Sequence, residues 1–201
     1  DANNVQTGTF NASEIAVEGI FSYELARNLV GGITAKFITS YIGSYNSMAV
    51  GVDLGLNWYE PERQWSVSLV AKNLGGQIKA YEEDYGKMPI DVQVGVSKTF
   101  AALPVRVSAT LVDLTHYDYR FINHLNLGAE VLLSESIWVG GGYNFRKADE
   151  MTIGKADNAS AHGAGFSVGA GINLEQFKLN LAYGKYHAAS NSILVNLAYS
   201  F

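Results

Sequence analysis

Cysteine is absent from the 201 residues. No disulfide framework, cysteine-based zinc site or thiol nucleophile is therefore possible. Charge is scarce too: Asp, Glu, Lys and Arg together make up 16% of the chain, against about 25% in ordinary soluble domains. The formal net charge is −5 at pH 7, which argues against nucleic acid as a partner, because a phosphate binder needs a basic patch. Proline occurs 3 times. No apolar run approaches the roughly 18–20 residues of a membrane helix, which excludes a helical membrane protein but not a barrel. Asp1 opens the sequence without a basic start or an apolar signal core. What the chain has instead is 21 Gly, 12 Tyr and 9 Phe, a composition suited to sheets of aromatic and small side chains. Its length fits one domain over residues 1–201.

Alternation with period two is the dominant pattern. Ile193, Val195, Leu197, Tyr199 and Phe201 alternate with Leu194, Asn196, Ala198 and Ser200. Phe177, Leu179, Leu181 and Tyr183 alternate with Lys178, Asn180, Ala182 and Gly184. The pattern predicts eleven strands, at 12–25, 29–40, 47–59, 64–73, 88–100, 104–115, 123–133, 137–147, 163–174, 177–187 and 192–201, and no helix. Most reach the roughly 9–11 residues a tilted membrane strand needs, whereas globular strands average about 5–6. The connections alternate as well. Short turns at Arg27–Asn28, Glu60–Arg63, Ala101–Leu103, Ser134–Ser136 and Glu175–Gln176 are mostly separated by longer loops at Tyr41–Asn46, Leu74–Lys87, His116–Ile122 and Ala148–His162. Outer-membrane barrels place short turns in the periplasm and long loops at the cell surface.

Two architectures fit the alternation. A sandwich would bury the apolar face and wet the polar one; a barrel would turn apolar residues to lipid and polar ones to its lumen. Strand length, loop rhythm and the terminal Tyr199-Ser200-Phe201 favour an all-β, antiparallel transmembrane barrel. Val52, Leu69, Val94, Leu127, Val168 and Leu197 would then face lipid, and Glu18, Lys36, Asp53, Lys72, Asp91, Arg106, Glu130, Arg146 and Lys178 the lumen. By equidistance from the turns, Glu18 should meet Lys36, and Asp53 should meet Lys72. Trp58, Tyr59, Trp65, Tyr143 and Phe145 suit rim girdles, or simply the strand preference of aromatics. Tyr199 and Phe201 suit a C-terminal signal for the barrel insertion machinery, which places the C-terminus in the periplasm. Eleven strands ending there would begin at the surface, while single-chain barrels usually have an even number. The expectation is a C-terminal portion of a larger barrel.

Motifs for chemistry are weak. His116, His124, His162 and His187 lie in or beside loops without metalloprotease spacing, as solvated histidines do. Glu82-Glu83-Asp84 lacks the calcium-loop pattern and suits a solvated acidic loop. Gly140-Gly141-Gly142 has no following Lys-Ser or Lys-Thr, so close backbone packing or room for a lumen group explains it better than a phosphate. Gly165-Phe166-Ser167-Val168-Gly169 has nucleophile-elbow spacing but sits mid-strand. Asn158-Ala159-Ser160 fits a glycosylation pattern of little weight in a bacterial protein. No catalytic residue, metal or cofactor is expected, and the chain is not expected to be an enzyme.

Several stretches resemble PorQ, of the PorV/PorQ-type outer-membrane proteins of type IX secretion in Bacteroidetes. They are Thr7-Gly8-Thr9-Phe10-Asn11-Ala12-Ser13; Lys36-Phe37-Ile38-Thr39-Ser40 with Ser44-Tyr45; Ala49-Val50-Gly51-Val52-Asp53-Leu54-Gly55; Ser66 to Ile78 with its Asn73-Leu74-Gly75-Gly76-Gln77; Met88-Pro89 running into Gln93-Val94-Gly95-Val96-Ser97-Lys98; and Gly140-Gly141-Gly142-Tyr143-Asn144-Phe145-Arg146. The resemblance implies a FadL-like barrel of about fourteen strands, so three would lie outside the eleven seen here, in agreement with the parity argument. It implies a non-catalytic component that anchors or assists the cell-surface attachment complex, with outer-membrane lipid and lipopolysaccharide around it and a surface protein of that complex as partner. Partner contacts are expected at Tyr81 and Tyr85 in one loop and at Tyr117, Tyr119 and Phe121 in another. FadL-like uptake of a hydrophobic small molecule is the alternative; it calls for an apolar lumen, whereas the polar face carries charges and small residues.

Overall fold

A computed structural model describes residues 11–82, 84–151, 163–187 and 190–200. Glu83, Asn158-Ala159-Ser160, His162, Phe201 and the Thr7–Phe10 stretch lie outside the described residues, as does the side chain of His187. The strands are β1 (Ala12–Ala26), β2 (Leu29–Ile42), β3 (Tyr45–Glu60), β4 (Trp65–Lys79), β5 (Asp91–Thr99), β6 (Val105–Leu111), β7 (Leu125–Leu132), β8 (Ile137–Asn144), β9 (Phe166–Asn173), β10 (Phe177–His187) and β11 (Ser190–Tyr199). They form one eleven-stranded sheet whose order follows the sequence from β1 to β11. Each strand pairs with its sequence neighbours, as in an up-and-down antiparallel meander. None of the described helices is long and apolar enough to cross a membrane.

Two compact units can be distinguished, residues 1–56 with 70–91, and residues 57–69 with 92–201. In the first, β1 pairs with β2 in the register Glu18↔Lys36 around the turn at Asn28, whose positive φ of 65° suits a tight hairpin. In the second, β6 pairs with β7 as Arg106↔Glu130, β7 with β8 as Glu130↔Gly140, and β8 with β9 as Trp138↔Gly171. The glycines lie opposite the bulky polar-face residues. A Cβ on Gly140 would come 2.8 Å from Glu130 Cγ, and one on Gly171 2.2 Å from Trp138 Nε1. The triple glycine thus makes room for side chains of the neighbouring strands.

The expected long loop at Tyr41–Asn46 is a two-residue turn, because β2 runs to Ile42 and β3 begins at Tyr45. Three further differences from the sequence pattern bear on the site. First, β4 continues to Lys79, through Asn73-Leu74-Gly75-Gly76, which had pointed to a loop. Asn73 takes a positive φ of 59° and donates its backbone N–H to Asp53 Oδ1 at 2.8 Å. Gly75 then lets the chain pass close to β3, where a Cβ would sit 2.1 Å from Val50 O. Second, the expected strand through residue 147 ends at Asn144, and Phe145–Glu150 form a helical turn, α1. Asn144 caps it by accepting Lys147 N–H at 2.8 Å; Arg146 and Lys147 both pair with Glu150. Third, Phe121–His124 form a 3-10 turn before β7.

The apolar face is exposed. Leu69 (47% exposed), Leu127 (43%), Val168 (57%) and Leu197 (70%) stand open, as does Val94, while Val52 is half-buried. The buried apolar residues among those described are only Ala49, Ala80, Met151 and Ala164. No second sheet covers the apolar side chains among the described residues, so the sandwich arrangement is excluded there. Large apolar side chains exposed in such number in each unit need a nonaqueous neighbour.

Candidate functional site

On the polar face of the first unit, Lys36 is the centre of a charge network. Its side chain is 10% exposed and its Nζ lies 2.7 Å from Asp53 Oδ2 and 3.9 Å from Glu18 Oε1. It also donates to Asn73 Oδ1 at 3.2 Å. Asn73 in turn donates through Nδ2 to Pro89 O at 2.9 Å. Glu18, Lys36 and Asp53 are therefore brought together. The expected partnership of Asp53 with Lys72 is not the one formed: Lys36 reaches across from β2, and the backbone N–H of Asn73 occupies the other carboxylate oxygen. Lys72 acts on Asp53 only as a nearby charge. In the second unit Arg106 and Glu130 make a cross-strand pair, with Arg106 Nε 2.7 Å from Glu130 Oε2. Sequence reasoning placed both on the polar face but left them unpaired, because the long connection between β6 and β7 hides the register.

The loop of residues 112–124 is braced from below by α1. Asp113, at a positive φ of 57°, accepts from both His116 Nδ1 and Arg146. Arg146 also donates to Glu150 Oε1 and to the Tyr119 hydroxyl, each at 2.7 Å. Its guanidinium carbon lies 4.0 Å from the centroid of the Tyr119 ring. Burial by itself would push the Asp113 carboxyl up; the hydrogen bonds from His116 and Arg146, and their charges, outweigh it and hold the group below its ordinary value. The hydrogen bond from Arg146 leads in holding Glu150 low, against burial. Burial would lower the Arg146 pKa, and the bonds to Glu150 and Asp113 raise it instead.

His124 is buried rather than solvated: it is 7% exposed, its Nδ1 donates to Val112 O at 2.8 Å, and its ring meets Tyr119 edge-on. Asn123, also buried, donates to Asp149 Oδ2 at 3.0 Å.

This bracing sorts the loop aromatics. Tyr119 is tied to Arg146, whereas Tyr117 is 91% exposed and Phe121 72%. In the first unit Tyr81 is anchored, its hydroxyl donating to Ser40 Oγ at 2.5 Å, while Tyr85 is exposed. At the short-turn end of the second unit, Trp58, Tyr59, Trp65, Phe177 and Tyr199 stand exposed. Lys98 Nζ lies 5.1 Å over the Trp65 ring, and the Phe177 and Tyr199 rings are 4.8 Å apart. Tyr143 meets Phe145 and Phe166 edge-on, although Phe145 belongs to α1 and not to a strand.

The family model of the type IX secretion system membrane protein PorP/SprF matches residues 8–197. The chain belongs to this family. The resemblance stated above thus led to the right secretion system. A search of curated proteins found no match. Membership accounts for the exposed apolar face: the side chains left open in the sheet are those of a membrane protein. It also makes other secretion components the partners to expect. Among the described residues no group of three or more His, Cys, Asp or Glu could hold a metal ion. Ser167 lies in β9 opposite Gly142 and Gly184, in regular strand backbone.

Proposed function

We propose that this chain is a non-catalytic outer-membrane β-barrel component of type IX secretion that holds a partner protein at the cell surface through its long loops. The apolar face would meet lipid, the short turns and the C-terminus would lie in the periplasm, and the long loops would project among lipopolysaccharide. The resemblance to PorQ supports a FadL-like barrel and a role beside the surface attachment complex. The observation that carries the proposal is the 112–124 loop. A network of Asp113, His116, Tyr119, Arg146 and Glu150 fixes its base, while Tyr117 and Phe121 stand nearly free. A rigid base presenting exposed aromatics suits recognition, because little conformational entropy is lost on binding. Two features weigh against small-molecule uptake: the polar face carries the Lys36 and Arg106 ion pairs, and strands β7 to β9 line it with glycine.

The test is crosslinking in native membranes followed by recovery of the tagged chain, comparing wild type with the double variant Tyr117→Ala, Phe121→Ala. The proposal expects a secreted or surface protein to copurify with wild type and to be lost severalfold from the variant at equal barrel abundance. Equal recovery from both would contradict it.

A further inference from the structure

The first unit carries an open cleft of about 710 Å³ lined by Ile42, Tyr45, Tyr81, Glu82 and Asp84. It lies beside the tight β2–β3 turn and the longer segment after β4. Tyr81 is held in its wall, because its hydroxyl is bonded to Ser40. Its acidic wall is not neutralised. Lys79 and Lys87 are equally near along the chain; Lys79 donates to Asn46 Oδ1 at 2.5 Å, and among the described residues neither Glu82 nor Asp84 is in an ion pair. Both carboxylates are exposed, as are Ile42 and Tyr45.

We infer that this cleft binds an arginine- or lysine-bearing extended segment of a partner protein. The inference deepens the anchoring role proposed above and rests on it. Each lining group has a part in such recognition. Two carboxylates accept from a guanidinium or ammonium, and arginine adds the bidentate geometry. Tyr45 and Tyr81 line the cleft with aromatic rings, and a cation is attracted to the face of such a ring. Ile42 covers the methylene stem that leads to the charge. The volume exceeds that of one side chain and the cleft is open, which suits a passing peptide better than an enclosed small molecule.

The test uses the full chain purified in detergent and three labelled short peptides of the same length, carrying arginine, lysine or glutamate, read by fluorescence anisotropy. The expected order is arginine above lysine, with the glutamate peptide not bound, and with affinity falling as salt rises. Glu82→Gln with Asp84→Asn should weaken the arginine peptide about tenfold or more, as loss of charge-assisted bonds predicts. Tyr45→Leu should weaken it severalfold, and both variants should keep the heat-modifiable gel mobility of a folded barrel. Equal binding of arginine and glutamate peptides to wild type would overturn the inference without any variant. So would an unchanged affinity in the folded Glu82→Gln, Asp84→Asn chain. Loss of peptide binding with intact crosslinking to the surface partner would remove the cleft and leave the anchoring role standing.

Discussion

Lys36 and Asp53 form an ion pair at 2.7 Å between neighbouring strands, with 10% and 15% of their side chains exposed. Glu18, the other carboxylate beside Lys36, is 3.9 Å away and 43% exposed. A charge left alone where water is scarce is costly, so breaking the inner pair should matter far more than breaking the outer one. Lys36→Met and Asp53→Leu are each expected to lower unfolding stability by about 3–5 kcal/mol, and the double replacement to recover much of that loss. Glu18→Gln should cost under about 1 kcal/mol. Urea titration of the refolded chain in liposomes measures all four. Single variants as stable as wild type would mean that water solvates both charges.

The lipid-facing side should respond to charge by depth. Leu127 lies opposite Ala109 and Tyr143 on its neighbouring strands. Leu127→Arg is expected to cost about 2–4 kcal/mol if the residue sits near the membrane centre. Gly128→Ser, one residue along and on the other face, gives the comparison: its Cβ would press on Ser108 Oγ at 2.7 Å, the movable end of a small side chain, so a smaller loss is expected. The same liposome titration reads both. An arginine tolerated at 127 would remove lipid from that face.

Close backbone approach should make two adjacent glycines behave differently. A Cβ on Gly75 would stand 2.1 Å from Val50 O, while one on Gly76 meets nothing within 4 Å. Gly75→Ala is expected to destabilise by roughly 1–3 kcal/mol and Gly76→Ala to stay within about 0.5 kcal/mol of wild type. Thermal melts followed by circular dichroism would show it. Equal melting temperatures would mean that β3 and β4 lie further apart than described.

The loop brace should fail in acid. Asp113 and Glu150 are held below their ordinary values in the folded state. Their stabilisation is therefore complete above the unfolded carboxylate range, roughly pH 4, and is lost as pH falls through the depressed folded values. Hydrogen exchange across residues 112–124 should stay slow from neutral pH down to that range and speed up below it, after correction for intrinsic rates. Arg146→Gln should give fast exchange already at neutral pH. A loop equally protected in the Arg146→Gln chain would show that the brace lies elsewhere.

Much of the sheet was readable because a half-buried strand writes its two faces into alternate positions. The number of strands, the exposed face and the Glu18–Lys36 register all follow from that alternation and from one tight turn. Other features depend on what the alternation does not encode. Asn73-Leu74-Gly75-Gly76 looks like a chain break until the Asp53 carboxylate and the Val50 carbonyl are set beside it. Asn144 continues the alternating run, and only its side-chain cap and the ion pairs of Arg146 and Lys147 with Glu150 turn the next residues into a helical turn. Arg146 beside Asp113, and Val112 beside His124, are brought near by long connections, whose path no local pattern fixes. The cleft at Tyr45 and Tyr81 arises in the same way, from the start of β3 and the segment after β4, far apart in sequence.

The central claim is that one face of this sheet meets lipid in a cell membrane. Because the chain has no cysteine, single cysteines can be placed one at a time along β7 from Leu125 to Leu132 without a background. In native outer membranes, a lipid-dissolved reagent should label positions 125, 127, 129 and 131, and a small water-soluble one positions 126, 128 and 130. Labelling by the water-soluble reagent at every position, with no period of two, would contradict the account.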